Sequence, residues 1–183
     1  MEFPTKSEFW DYTLAIYGKQ GFSPAVIALQ DKLKVDVDIL IFCCWTASTG
    51  RGALDAATVA KAREVADPWQ AEVVNALRII RRRIKEGFKG TPEGLPAGLG
   101  KDILGREIDA ERIEQMMLEA IAPAAKDAGK SADAKAKDAA SSLGVYLKAC
   151  NIKADDADRG HLATVLNAAF PDVPADKARA LLS

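Results

Sequence analysis

Asp36-Val37-Asp38-Ile39-Leu40-Ile41-Phe42-Cys43-Cys44-Trp45 is the stretch on which the fold turns. From Ile39 to Trp45 every side chain is apolar, so the run shows neither the alternation of a surface strand nor the one-sided stripe of a surface helix. Two elements bury all their faces in this way: a short strand inside a sheet and a central helix wrapped by others. The run continues through Thr46-Ala47-Ser48 to Gly50, with an acidic cap in front and a glycine stop behind. A central helix over about 37–48 is therefore predicted, with a buried strand as the competing reading. Eight of the twelve aromatic residues lie within residues 1–45, which places the main core around this helix.

Toward the N-terminus, Ser7 is the expected cap of a first helix ending at Gly18. Phe9, Thr13 and Ile16 share one side and Trp10, Leu14 and Tyr17 the next. Ser23-Pro24 is a helix-start pair carrying Val26, Ile27, Leu29 and Leu33. Toward the C-terminus, Asp55 caps an alanine-rich helix to about Ala66. Asp67-Pro68-Trp69-Gln70 then reads as a fresh start, leading into the stripe Trp69, Val73, Leu77, Ile80, Ile84 and Phe88.

Residues 87–105 hold six glycines and two prolines and read as a loop or linker. A helix is expected from about Arg106 to Ala122. Residues 124–141 are mainly Ala, Lys, Asp and Ser, with nothing large to bury, and read as a mobile spacer. Apolar patterning returns at Leu143-Gly144-Val145-Tyr146-Leu147 and again at Leu162, Val165, Leu166 and Phe170, before a short turn at 175–182. The expectation is an all-α fold of about seven to eight helices in irregular orthogonal or bundle packing around the 37–48 helix. Its parts would be a main domain over 1–122, a spacer over 123–141 and a small C-terminal segment over 142–183.

The totals exclude several classes of protein. Apolar residues make up 49% of 183, too many for a disordered chain, and a net charge of −1 gives no field that would draw the whole molecule to polyanions. Three cysteines, two of them adjacent, make no disulfide framework. Residues 1–6 lack the basic and apolar parts of a signal peptide, and no apolar run approaches the ~20 residues that cross a bilayer. A cytoplasmic protein is expected.

The wording Phe9-Trp10-Asp11-Tyr12-Thr13-Leu14 with Tyr17, then Ala28-Leu29-Gln30-Asp31, Asp36 through Cys43, Leu77-Arg78-Ile79-Ile80-Arg81-Arg82-Arg83-Ile84-Lys85 and Ala110-Glu111-Arg112-Ile113-Glu114-Gln115 is distinctive. It resembles a family of small bacterial proteins classified only as a domain of unknown function, over roughly residues 8–121 and more loosely beyond. The resemblance implies a bacterial cytosolic helical protein, and it carries no catalytic residues.

Arg78, Arg82, Lys85 and Lys89 fall at i, i+4, i+7 and i+11, a basic stripe flanked by Arg81. It can take phosphate groups, a nucleic-acid backbone or an acidic protein. It can equally complement the helix dipole, or pair with Glu107, Asp109, Glu111, Glu114 and Glu119 of the following helix. Cys43-Cys44 is short of soft partners for zinc, since only Cys150 and His161 remain, and reads as core packing. His161, alone of its kind, reads as cap or surface. Asp36-Val37-Asp38 and Asp155-Asp156-Ala157-Asp158 are acidic clusters of a type that can hold magnesium, yet N-capping explains them. Gly94-Leu95-Pro96-Ala97-Gly98-Leu99-Gly100-Lys101 lacks a phosphate loop's Ser/Thr ending, having Asp102 instead.

No cofactor, metal or catalytic residue is assigned from these patterns. A non-enzymatic scaffold, adaptor or assembly factor that binds an acidic protein surface through Arg78, Arg82, Lys85 and Lys89 is the leading expectation. A small-ligand or enzymatic site lined by Trp10, Tyr17 and Trp45, with Asp36 and Asp38, is the alternative. Weak nucleic-acid binding through the stripe stands third.

Overall fold

A computed structural model describes residues 6–182; the 1–5 stretch used in the signal-peptide reading and residue 183 lie outside it. The described residues form α1 (Glu8–Tyr17), α2 (Phe22–Leu33), α3 (Val37–Ser48), α4 (Ala56–Trp69), a π-helical turn (Gln70–Val74), α5 (Asn75–Glu86), α6 (Leu95–Ala120), α7 (Ala132–Ala149), α8 (Asp156–Ala169) and α9 (Ala175–Ala180). The fold is all-α, and among the described residues no helix is long and apolar enough to cross a membrane.

α3 is the predicted central helix. It packs against α1, α4, α6, α7 and α8, and every residue from Val37 to Ala47 is buried. Its N-terminus is capped by Asp36, whose side chain accepts a 2.8 Å hydrogen bond from the Asp38 amide. Trp45 stacks on Phe9 of α1 at 5.0 Å between ring centroids, and Phe42 tilts against both rings.

The caps expected at Ser7, Asp55 and Asp155 are all present, since capping needs only local donors and acceptors. Ser7 also joins α1 to α6: its hydroxyl donates to Glu119 Oε2 at 2.6 Å, and the Glu8 amide donates to Oε1 of the same residue. α2 begins one residue before Ser23, capped by Gly21 in the left-handed region.

The structure departs from the sequence reading at three places, each for a physical reason. There is no fresh start at Asp67, because Pro68 is accommodated inside a continuous rod from α4 to α5. Lacking an N–H, Pro68 leaves a gap in the ladder, and the next turn runs in π register. Asp67 is held instead by Arg63 of the preceding turn at 2.8 Å.

Next, α6 starts at Leu95 rather than near Arg106, with Pro96 in its first turn, so residues 95–105 are helical and the loop shrinks to 87–94. At Gly98, Gly100 and Gly105 the helix surface is open, since a Cβ there would meet nothing within 4 Å.

Finally, residues 132–141 are the first half of α7 and not a mobile spacer. Ala136, Ala139 and Ala140 are buried, and α7 packs closely on α3. Small side chains let the two backbones approach where larger ones would hold them apart. The 123–131 connection is itself tied down: the Lys126 and Asp127 amides both donate to the Gly50 carbonyl, at 2.9 and 3.0 Å.

Candidate functional site

α5 and α6 form an antiparallel hairpin, and the basic stripe lies along its α5 limb. The structure divides the stripe in two. Arg78, nearest the body, turns inward: Nε donates to Glu107 Oε1 at 2.8 Å and Nη2 to Glu111 Oε1 at 2.9 Å. Arg81 adds a 2.6 Å bond from Nε to Glu107 Oε2. Burial alone would raise the Glu107 carboxyl, but Arg81 and Arg78 together hold it below the ordinary carboxylate value. Arg82 remains exposed, 3.4 Å from Asp31 of α2, and Lys85 and Lys89 are exposed near the hairpin tip.

The tip is apolar as well as basic. Of the ten exposed large apolar side chains among the described residues, Ile79, Ile80, Phe88, Leu95, Leu99, Leu104 and Ile108 belong to this hairpin, and α5 has no buried residue. Two clefts open here. One, of about 560 Å³, lies between Lys85, Pro92 and Leu104; the other, of about 350 Å³, is walled by Ile84, Phe88, Leu95 and Leu99. Residues 79–106 carry seven Lys and Arg against three Asp and Glu, in a chain whose total charge is −1.

At the body end of the same hairpin, the helical face of α6 that begins with Glu107 and Glu111 continues to Glu114 and Gln115 and reaches the N-terminus of α3. There Asp36, Asp38 and Glu114 each bring one carboxylate oxygen within 4.8 Å of the others. All three are buried, with exposures of 7%, 5% and 0%. Asp38 Oδ1 accepts a 2.6 Å bond from Gln115 Nε2, and Gln115 Oε1 in turn accepts from Thr13. Tyr146 of α7 accepts from the Asp36 amide. Among the described residues no N–H or hydroxyl donor reaches Asp36 Oδ2 or either oxygen of Glu114, all of them buried, and the two carboxyls hydrogen-bond only with each other.

The electrostatics follow from that crowding. Burial, reinforced by the neighbouring Asp36, pushes the Glu114 carboxyl up to about 12. Burial, then Asp36 and Glu111, raises Asp38, and burial lifts Glu111 to about 6 against the pull of Arg78. Two clefts flank the cluster. One of about 430 Å³ reaches Asp36 and Tyr146, and one of about 230 Å³ reaches Asp38, Glu111 and Tyr17. Gln70, on the π-helical turn, lines both, as does Arg78.

The structure does not gather Trp10, Tyr17 and Trp45 around one space. Trp45 is buried between the Phe9 and Phe42 rings with the Arg51 guanidinium over its own ring, Trp10 lies under the Arg112 guanidinium, and Tyr17 packs edge-on against Phe22 beside the smaller cleft. Cys43 and Cys44 are fully buried, and burial pushes both thiols up, Cys44 to about 12. Asp155 and Asp158 form a capping box and hold Lys32 of α2 at 2.6 and 2.8 Å. Glu114 was legible only as one of several acidic residues on α6. Its signal was the spacing Glu107, Glu111, Glu114, which shares a face with the buried Ala110 and Leu118.

Residues 8–118 match the model of a family described as a protein of unknown function (DUF2390). No curated protein and no solved structure gives a significant match.

Proposed function

The chain belongs to the DUF2390 family, whose description assigns no activity, and we propose that it is a helical interaction protein that docks a partner on the tip of its α5–α6 hairpin. The observation that carries this reading is the concentration of exposed apolar side chains on the hairpin, bordered by Lys85, Lys89 and Lys101. Contiguous exposed apolar surface with a polar rim is the usual mark of a protein-binding site. The fitting occupant is a helix of another protein, with bulky apolar residues for the clefts and an acidic rim for the lysines. Arg78 takes no part in it, because its guanidinium is committed to Glu107 and Glu111.

The test places a photo-crosslinking residue at Leu99 in the full chain and identifies what it captures in cells. The captured protein, purified, should bind wild type with an affinity that falls as salt rises. Leu99→Asp and the pair Lys85→Glu/Lys89→Glu should each abolish that binding. A partner retained by both variants would overturn the reading. So would concentration-dependent self-association lost in the same variants, which assigns the tip to a second copy, or retention on single-stranded nucleic acid that vanishes with salt.

A further inference from the structure

We propose that Asp36, Asp38 and Glu114 form a binding site for one hard divalent cation, set where the N-terminus of α3 meets the middle of α6. The docking tip plays no part in this inference.

A count of charge across the network motivates it. The two guanidiniums drawn into it, Arg78 and Arg81, are answered by Glu107 and Glu111. Among the described residues no ion pair reaches Asp36, Asp38 or Glu114, although all three are buried. A buried carboxylate is stable only when neutralised or paired, and three of them within 4.8 Å repel one another. The second observation is Glu114 itself. It is 0% exposed, comes from a different helix from the two aspartates, and sets one oxygen within 4.8 Å of theirs; among the described residues no N–H or hydroxyl donor reaches either of its oxygens, whose hydrogen-bonding neighbour is the Asp36 carboxyl. Asp36 Oδ2 likewise receives no N–H or hydroxyl donor among the described residues. Capping and the Gln115 bond use Oδ1 of each aspartate, so capping does not account for the burial of these three oxygens.

The ligand chemistry selects the class of ion. All donors are carboxylate oxygens, which suit magnesium, manganese or calcium and not the softer metals that want imidazole or thiolate. A cation bound at about 2.0–2.6 Å to each oxygen spans roughly 4–5 Å across its shell, and these atoms lie within 4.8 Å of one another. The flanking clefts bring solvent to Asp36 on one side and Asp38 on the other, so water can complete the shell. Gln70, whose Oε1 is also buried and unpartnered, lines both clefts.

The experiment titrates the chelator-stripped full chain with Mn²⁺, followed by electron paramagnetic resonance, and with Mg²⁺ and Ca²⁺ by calorimetry. One ion per chain should bind and raise the melting temperature. Glu114→Gln and Asp38→Asn should each weaken binding roughly tenfold or more, a loss at least as large as that from altering supporting groups. Asp155→Asn/Asp156→Asn, at a surface acidic cluster, should leave it intact. Asp38→Asn keeps the test decisive if Glu114→Gln fails to fold. Absence of binding at about 10 mM, weaker than ordinary protein calcium sites, would overturn the proposal. Binding that survives both cluster variants would do the same. So would metal-independent stabilisation by Glu114→Gln, which marks a cluster that shares protons instead.

Discussion

Arg78 and Glu107 meet across the joint between α5 and α6 at 2.8 Å, with only 11% and 5% of their side chains exposed. The contact ties the base of the hairpin together, and it explains why one residue of a regular basic stripe turns inward. With Arg81 and Glu111 it forms a four-residue charge network at the edge of the core.

Removing one partner of such a network strands the other charge. Glu107→Gln should cost ~3–5 kcal/mol in chemical denaturation at neutral pH. The pH dependence follows from the depressed carboxyl. Stability from Glu107 is fully present above the unfolded value of 4.5 and is lost as pH falls below it through the lower folded value. The gap between wild type and Glu107→Gln should therefore narrow on acidification below about pH 4, and a constant gap would show that the network is not ionic.

Trp45 is enclosed by Phe9 and Phe42. Trp45→Ala should cost ~3–5 kcal/mol by thermal or urea unfolding. A loss below about 1 kcal/mol would mean the space around the ring is not filled.

The buried thiols give a labelling experiment. In the native protein a maleimide should reach the half-buried Cys150 and spare Cys43 and Cys44, while all three react in denaturant. Mass spectrometry of the labelled peptides reads the result, and native labelling at Cys43 would contradict a closed core.

Gly50 has φ +74°, and a Cβ there would sit 2.3 Å from the Asp127 carbonyl oxygen. Gly50→Ala should destabilise by at least ~2 kcal/mol, combining a left-handed backbone with a clash against main chain. Gly52→Ala shares the positive φ but meets nothing within 4 Å, so it should cost less. Equal melting temperatures for the two would rule out the close docking of residues 126–127.

On the hairpin, Phe88→Asp should change the melting temperature little, because the ring is half exposed, lying under the Arg83 guanidinium at the wall of an open cleft. A large loss would mean the tip is core and not a docking surface.

What was legible in the sequence was local. Ser7, Asp55 and Asp155 announce their caps by residue type alone, and the run from Ile39 to Trp45 announces a helix that exposes no face. What was not legible depends on neighbours far along the chain. The alanines of α7 form a regular buried stripe, but alanine looks the same in a solvated helix until α3 lies against it. The carboxylates of α6 at i, i+4 and i+7 have the spacing of a wet surface. Only α3, some seventy residues earlier, turns Glu114 into an interior group. Pro68 is a helix breaker locally, and the continuous rod through it depends on the π-helical turn that absorbs its missing bond.

The enclosure of α3 has a consequence for how the chain tolerates change. A helix at a protein's edge alternates between permissive and forbidden positions with a rhythm of 3.6 residues. α3 has no such rhythm, because every residue from Val37 to Ala47 is buried beneath the helices packed around it. In a saturation mutagenesis scan scored for abundance, it should appear as an unbroken block of intolerance. α7 and α8 should show periodic stripes beside it, and the outer half of the α5–α6 hairpin should be nearly blank.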